Sequence, residues 1–243
     1  MISLRRRMIW LTLFSIAMGF LETAVVIYLR KIYYPHGFQF PLIPIDPDIG
    51  LIEFLREAAT IIMLVGIGIL AGKNTSQKFS IFLYCFAIWD IFYYVFLKMF
   101  LAWPESLFTS DILFLIPVPW VGPVLAPCIV SLTMIVLTSA VIYSHESGYM
   151  VHFGMREWIS FITGSLVIIF SFIQDYVKYV SGGGPTSHVW TLSSKQNMFD
   201  EISHYVPTSY NWYLFSLGEI IIVLGILSFL AKVRMTKRHI ANS

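Results

Sequence analysis

Apolar residues occur in six long runs, separated by polar or proline-rich stretches. Each run approaches the ~20 residues that an α-helix needs to cross about 30 Å of hydrocarbon. The pattern therefore predicts an all-α fold, a polytopic membrane bundle of six transmembrane helices that forms one integral membrane domain over residues 1–243. The predicted spans are residues 8–29, 51–71, 79–100, 123–143, 157–178 and 212–231.

The stretch between the third and fourth spans is apolar but rich in proline. Proline lacks the backbone N–H and clashes inside a helix, so one straight helix from 112 to 143 is not expected. We predict that residues 112–122 form a re-entrant or interfacial segment and that the fourth helix begins near Pro123. Non-helical backbone at membrane depth must be sheltered by protein or water. The prolines concerned are Pro117, Pro119, Pro123 and Pro127.

Composition agrees with a membrane location. Hydrophobic residues make up 57% of the chain and charged residues 12%, whereas soluble domains average about 25% charged residues. The net charge of +2 is too small to indicate nucleic-acid binding. Membrane lipid is therefore the expected partner. Cys85 and Cys128 lie in separate apolar runs without a CxxC motif, which favours buried free thiols.

The positive charges indicate an orientation. An even number of spans places both termini on one side, and ten of the 16 lysines and arginines fall on that side, in short loops and tails. Cytoplasmic loops carry an excess of Lys and Arg. We therefore predict a multi-pass protein of the cell membrane with both termini in the cytoplasm.

Four acidic residues lie well inside the predicted spans, away from their ends: Glu22, Glu57, Asp90 and Glu219. A carboxylate inside a span costs at least roughly 2.5–3.5 kcal/mol, so such residues usually mark a functional site. At about 1.5 Å per residue, Glu22 lies about 21 Å along its helix from the inner edge, and Glu57 and Glu219 lie about 9 Å below the outer edge. Asp90 lies nearer the midplane. This shared depth predicts one acidic site in the outer half, with these four acids as its catalytic groups.

Polar neighbours extend the predicted site. Asp90, Tyr94 and Lys98 share one face of the third helix, with Tyr93 beside them. Arg56 is the only arginine that lies within a predicted span. We predict that the ligand is bound by Arg56, Tyr93, Tyr94 and Lys98. The alternative is that Arg56 with Glu57, and Lys98 with Asp90, are ion pairs that only hold helices together. Four acids against so few cations favour a functional site.

Three functions fit this pattern. The favoured one is an enzyme or binding protein for a lipid-like or quinone-like ligand, with an outward pocket capped by the proline-rich external segments. The second is a proton- or cation-coupled transporter that uses the same acids. The third is a non-catalytic subunit whose charges pair with the helices of a membrane-protein partner.

The sequence leaves the reaction, the cofactor and the metal content open. All six histidines lie outside the spans or at their edges, which is not expected of a bis-histidine haem protein. His36, His188 and His204 belong to the external side and could join the carboxylates in a Zn, Mn or Fe site.

Overall fold

A computed structural model describes residues 4–115, 118–149, 152–181 and 204–241. Six helices within these residues are long and apolar enough to cross a membrane. They are α1 (Leu4–Tyr33), α2 (Pro47–Ala71), α3 (Thr75–Leu101), α4 (Leu125–Glu146), α5 (Met155–Ser181) and α6 (Trp212–Ala241). Each coincides with one predicted span to within a few residues at most ends. The predicted helical bundle is confirmed, and the chain is a multi-pass integral membrane protein.

Local signals position the second and third helices. The Asp46 side chain accepts hydrogen bonds from the backbone N–H groups of Asp48 and Ile49, and Pro47 fills the first helical position of α2. Asn74 caps α3 in the same way, accepting from the Gln77 N–H at 2.9 Å. Both caps satisfy donors that a helix start leaves unpaired. These caps fix the residues at which α2 and α3 begin.

The proline-rich segment contains a small antiparallel sheet. Strand β1 (Ser110–Phe114) pairs with β2 (Trp120–Pro123), and α4 starts two residues later at Leu125. The helix start agrees with the expected position near Pro123, whereas strands were not expected. A two-stranded ladder pairs backbone groups that a proline-interrupted helix would leave unsatisfied. The re-entrant or interfacial placement of 112–122 stays a prediction, and Pro117 lies outside the described residues.

Helix α3 packs against α1, α2 and α4, while α5 pairs with α6 and supports β2. Helices α5 and α6 approach closely at Gly164 and Gly218. A Cβ atom on Gly164 would lie 2.5 Å from Ile222 Cγ1 and 2.8 Å from the Gly218 carbonyl oxygen. Small residues of this kind let membrane helices come into backbone contact.

Helices α1 and α2 both pack on α3 but contact each other little along the described residues. At the end of the bundle that holds the chain termini the two helices meet, since Arg7 donates a hydrogen bond to the Ala71 carbonyl oxygen at 3.4 Å. There, Leu11, Met18 and Leu64 belong to one buried apolar cluster with α3. Toward the other end the two helices leave a space in front of α3, and this space contains the candidate site.

Candidate functional site

A cavity of about 170 Å³ lies between α1, α2 and α3. Its walls carry six of the eight residues predicted for the site. The first connection and strand β1 cover it on the side away from the termini, through Tyr34, Phe38, Leu42 and Ile45 and through residues 111–115. The predicted residues that line it are Glu22, Arg56, Glu57, Asp90, Tyr93 and Tyr94.

Arg56 joins α2 to α1 at the cavity. Its Nε donates to Glu53 Oε2 at 2.8 Å, and its Nη1 donates to Glu22 Oε2. The guanidinium therefore has a carboxylate on its own helix and another on the neighbouring helix. Two carboxylates around one arginine reduce its attraction for an anionic ligand group. The pair of Arg56 with Glu57, which the structural alternative assumed, is not among the ion pairs of the described residues.

Glu57 and Asp90 have neutral partners. Glu57 is buried, and its Oε2 accepts a hydrogen bond from the Leu115 N–H at 2.9 Å, which ties α2 to the end of the hairpin. Asp90 Oδ2 accepts from the Ser131 hydroxyl of α4 at 2.8 Å. Asp90 is half-buried although it lies inside the bundle, so its remaining exposure is to the cavity that it lines.

A second ion pair at the cavity was not predicted. Arg30, in the last turn of α1, donates from Nη2 to Asp111 Oδ1 at 3.0 Å. The guanidinium carbon lies 3.8 Å from the centre of a Trp103 ring and 4.3 Å from that of Phe38. This arrangement combines a cation–π contact with a salt bridge. Arg30 thus fastens the hairpin and the first connection to α1.

Burial dominates the protonation of Asp111. Removal from water raises the pKa of this carboxyl to about 6, and the Arg30 guanidinium opposes the shift. The Tyr94 hydroxyl also lies close enough to lower it. Even so, no described residue completes a hydrogen bond to Asp111 Oδ2 or to Arg30 Nη1, although both atoms are buried.

The cover of the cavity is supported from the other half of the bundle. Leu42 packs in one buried cluster with Val121 of β2, Tyr176 of α5 and Tyr205. The Tyr205 hydroxyl donates to Asp175 Oδ2 at 2.8 Å. Burial, together with Asp175, raises the pKa of Tyr205 well above its usual range, so this hydroxyl keeps its proton and the contact persists.

Two predicted residues lie apart from the cavity. Glu219 is buried against α4, where its Oε2 accepts from the Thr133 hydroxyl at 2.9 Å. Lys98 extends past the end of α3 and donates to the carbonyl oxygens of Ala102 and Pro104 at 3.2 and 2.8 Å. A cation at a helix C-terminus satisfies exposed carbonyls and interacts favourably with the helix dipole. The pair of Lys98 with Asp90, also part of the structural alternative, is not among the ion pairs of the described residues.

The described side chains include no group of three or more His, Cys, Asp or Glu residues arranged to hold a metal ion. His36 is exposed in the first connection, and it is not among the residues that line the cavity. His188 lies outside the described residues. The carboxylates are distributed along the cavity wall and are held by arginine, hydroxyl and backbone donors.

Sequence reasoning missed Arg30, Asp111 and Glu53 as lining residues of this site. Arg30 lies in the last turn of α1, where basic residues are common and indicate no site. Asp111 lies at the edge of a stretch in which the prolines are the dominant sequence signal. The sequence signal that could have added Glu53 to the predicted site is its spacing, since Glu53 shares a helix face with Glu57 and lies one turn from Arg56.

Comparisons with protein-family models, with curated proteins and with solved structures find no match for this chain.

Proposed function

We propose that the protein binds a lipid-like or quinone-like amphiphile in the cavity between α1, α2 and α3, as a binding protein or as an enzyme acting on that molecule. The observation that carries this proposal is the cavity itself, with carboxylates and tyrosines on apolar walls under an apolar cover. Ligand sites typically combine mainly apolar walls with a few convergent polar groups. Asp90 and Glu57 are the central groups, because each is held by a neutral donor and lines the cavity.

The position of the acids favours this proposal over a purely structural subunit. Charges that pair with a partner's helices are expected on the outer surface of a bundle. Glu22 and Asp90 are half-buried and Glu57 is 8% exposed, and all three line the cavity. Glu219 is also buried, against α4.

The packing beneath the cavity favours binding or catalysis over transport. A transported ion needs polar groups through both halves of the membrane. Below the acids, α1, α2 and α3 meet mainly through Leu11, Met18 and Leu64 in a buried apolar cluster. The hydrogen bond there between the Thr12 and Tyr84 hydroxyls adds no charge. None of these three apolar residues lines the cavity.

A cavity-filling variant tests the proposal. Val26 lines the cavity, whereas Val65 of α2 is exposed on the outside of the bundle. We expect Val26→Trp to abolish cross-linking of a photoactivatable fatty-chain probe to residues 22–34 and 111–115, because the larger ring occupies the space that the chain needs. Val65→Trp, a matched change on the lipid-facing surface, leaves this labelling intact.

Peptide mapping by mass spectrometry reads the result. Labelling at the cavity that is equal in wild type, Val26→Trp and Val65→Trp contradicts the proposal, since the probe would then be reporting only the lipid that surrounds every membrane helix.

A further inference from the structure

We infer that the head group held in this cavity is rich in hydroxyl groups, as in an amphiphile that carries a sugar or polyol. The inference rests on the proposed function and specifies the chemical class of its ligand. It follows from the donors and acceptors that line the cavity. These groups match a polyol better than an anionic head group, a metal ion or an ammonium group.

An anionic head group does not match the charge of the walls. Five carboxylates and two guanidiniums line the cavity, and each guanidinium already contacts a carboxylate. A phosphate or carboxylate on the ligand would face the unpaired acids at short range in a medium of low dielectric constant, where like charges repel strongly. The excess of carboxylates favours a ligand that donates hydrogen bonds.

A compact metal ion does not match the geometry. Divalent metals need several ligand atoms directed at one point, and the described residues hold no such group. The acids are spread over four elements of the wall, namely α1, α2, α3 and β1. They are Glu22, Glu53, Glu57, Asp90 and Asp111. Spread acceptors suit a ligand with several separated donors.

An ammonium group matches the acids but not the buried donor beside them. Arg30 is 7% exposed, lines the cavity and has an Nη1 without a hydrogen-bond partner among the described residues. Asp111, 2% exposed, presents Oδ2 in the same state from the other side of the ion pair. An unpartnered donor and an unpartnered acceptor therefore lie together within one ion pair, and leaving either atom buried without a hydrogen bond is unfavourable.

A hydroxyl group satisfies both atoms, because it accepts from Arg30 Nη1 and donates to Asp111 Oδ2. Further hydroxyls can donate to Asp90 and Glu57 and exchange hydrogen bonds with Tyr93. Aromatic side chains complete the walls, and their faces suit the C–H surfaces of a sugar ring. They are Tyr33, Tyr34, Phe38, Trp89, Tyr93, Tyr94 and Phe114.

Three probes with one alkyl chain test the inference. The full chain, in a polyoxyethylene detergent that contains no sugar, is offered dodecyl glucoside, dodecyltrimethylammonium or dodecyl phosphate, and bound probe is measured by native mass spectrometry. We expect the glucoside to bind at least about tenfold more tightly than either charged probe, since sites built to hydrogen-bond a hydroxyl discriminate strongly against analogues that lack it. The binding should disappear in Val26→Trp.

Substitutions then assign the contacts. Asp111→Asn retains an acceptor for Arg30 but replaces the free acceptor by an amide, and we expect about a tenfold loss of glucoside affinity. Asp90→Asn, which leaves the ion pairs untouched, should lose severalfold. Glu157→Gln is the control, because this buried acid lies at the other end of the bundle, hydrogen-bonded to Ser228 and Gly154. The glucoside affinity of this variant should equal that of the wild-type protein.

The outcomes separate the two proposals. Tighter binding of the ammonium or the phosphate probe overturns the head-group inference. Equal binding of all three probes also overturns it, if Val26→Trp abolishes that binding. In both cases the cavity remains a site for an amphiphile. Binding of every probe that is indifferent to Val26→Trp overturns the proposed function itself.

Discussion

Arg56 and its neighbour Glu57 show how residue spacing decides which charges meet. Consecutive residues on a helix point in different directions, whereas residues three apart share a face. Arg56 accordingly contacts Glu53 on its own helix and Glu22 across the cavity. Glu57 turns to the Leu115 backbone instead. The guanidinium therefore neutralises acids at the wall and leaves Glu57 with a neutral partner.

Removing this guanidinium should destabilise the fold. Arg56→Met leaves Glu22 and Glu53 without their cation, and removing one partner of this partly buried pair costs about 1–3 kcal/mol, between the values for exposed and fully buried pairs. We expect a clearly lower midpoint of thermal unfolding for the purified protein in detergent. Adding Glu22→Gln to Arg56→Met should recover part of the loss, because one uncompensated charge is removed. Unchanged stability of Arg56→Met, or no recovery in the double variant, would show that the pair is solvated and contributes little.

Among the helices, α5 and α6 approach each other closely because side chains are missing at their contact. A Cβ atom on Gly164 would meet both a side chain and a backbone oxygen of α6, whereas one on Gly66 of α2 would have nothing within 4 Å. The two glycines occur in similar apolar helices, so they form a matched pair for substitution.

We expect Gly164→Ala to destabilise the protein by about 1–3 kcal/mol, the usual cost of overpacking. Gly66→Ala should be neutral or stabilising by up to about 1 kcal/mol, since alanine favours the helix. Thermal unfolding of both variants under identical detergent conditions measures the difference. Equal effects of the two substitutions would contradict the close packing of α5 on α6.

The helices could be predicted from sequence because each needs only local information, namely a long apolar run and its polar flanks. The hairpin could not, since the prolines of 112–122 exclude a helix without specifying a ladder. The Arg30–Asp111 pair joins residues 81 positions apart, and no local pattern links them. Depth along the helices predicts that Glu22, Glu57 and Asp90 lie at one level, and all three line the cavity. It could not reveal that Glu219 faces α4, because depth does not define the direction of a side chain.

At the scale of the whole molecule, the orientation in the membrane decides which leaflet the cavity faces, because the cavity and the short basic turn lie at opposite ends of the bundle. The cavity and its cover lie at the end of the bundle away from the termini. At the other end, Lys73 lies in the short turn between α2 and α3, and Lys78 lies in the first turn of α3. If the termini are cytoplasmic, as the basic residues predict, the cavity belongs to the outer half of the membrane and takes its ligand from that leaflet.

Cysteine accessibility tests this orientation. His36 in the first connection and Lys73 in the turn before α3 are both exposed. With Cys85→Ala and Cys128→Ala as the background, a membrane-impermeant maleimide should label His36→Cys in intact cells and Lys73→Cys only after permeabilisation. The reverse pattern would place the cavity in the inner half, where its ligand would come from the cytoplasmic leaflet. Labelling of both positions from outside would contradict the alternation of the helices, because the positions flank a single span, α2.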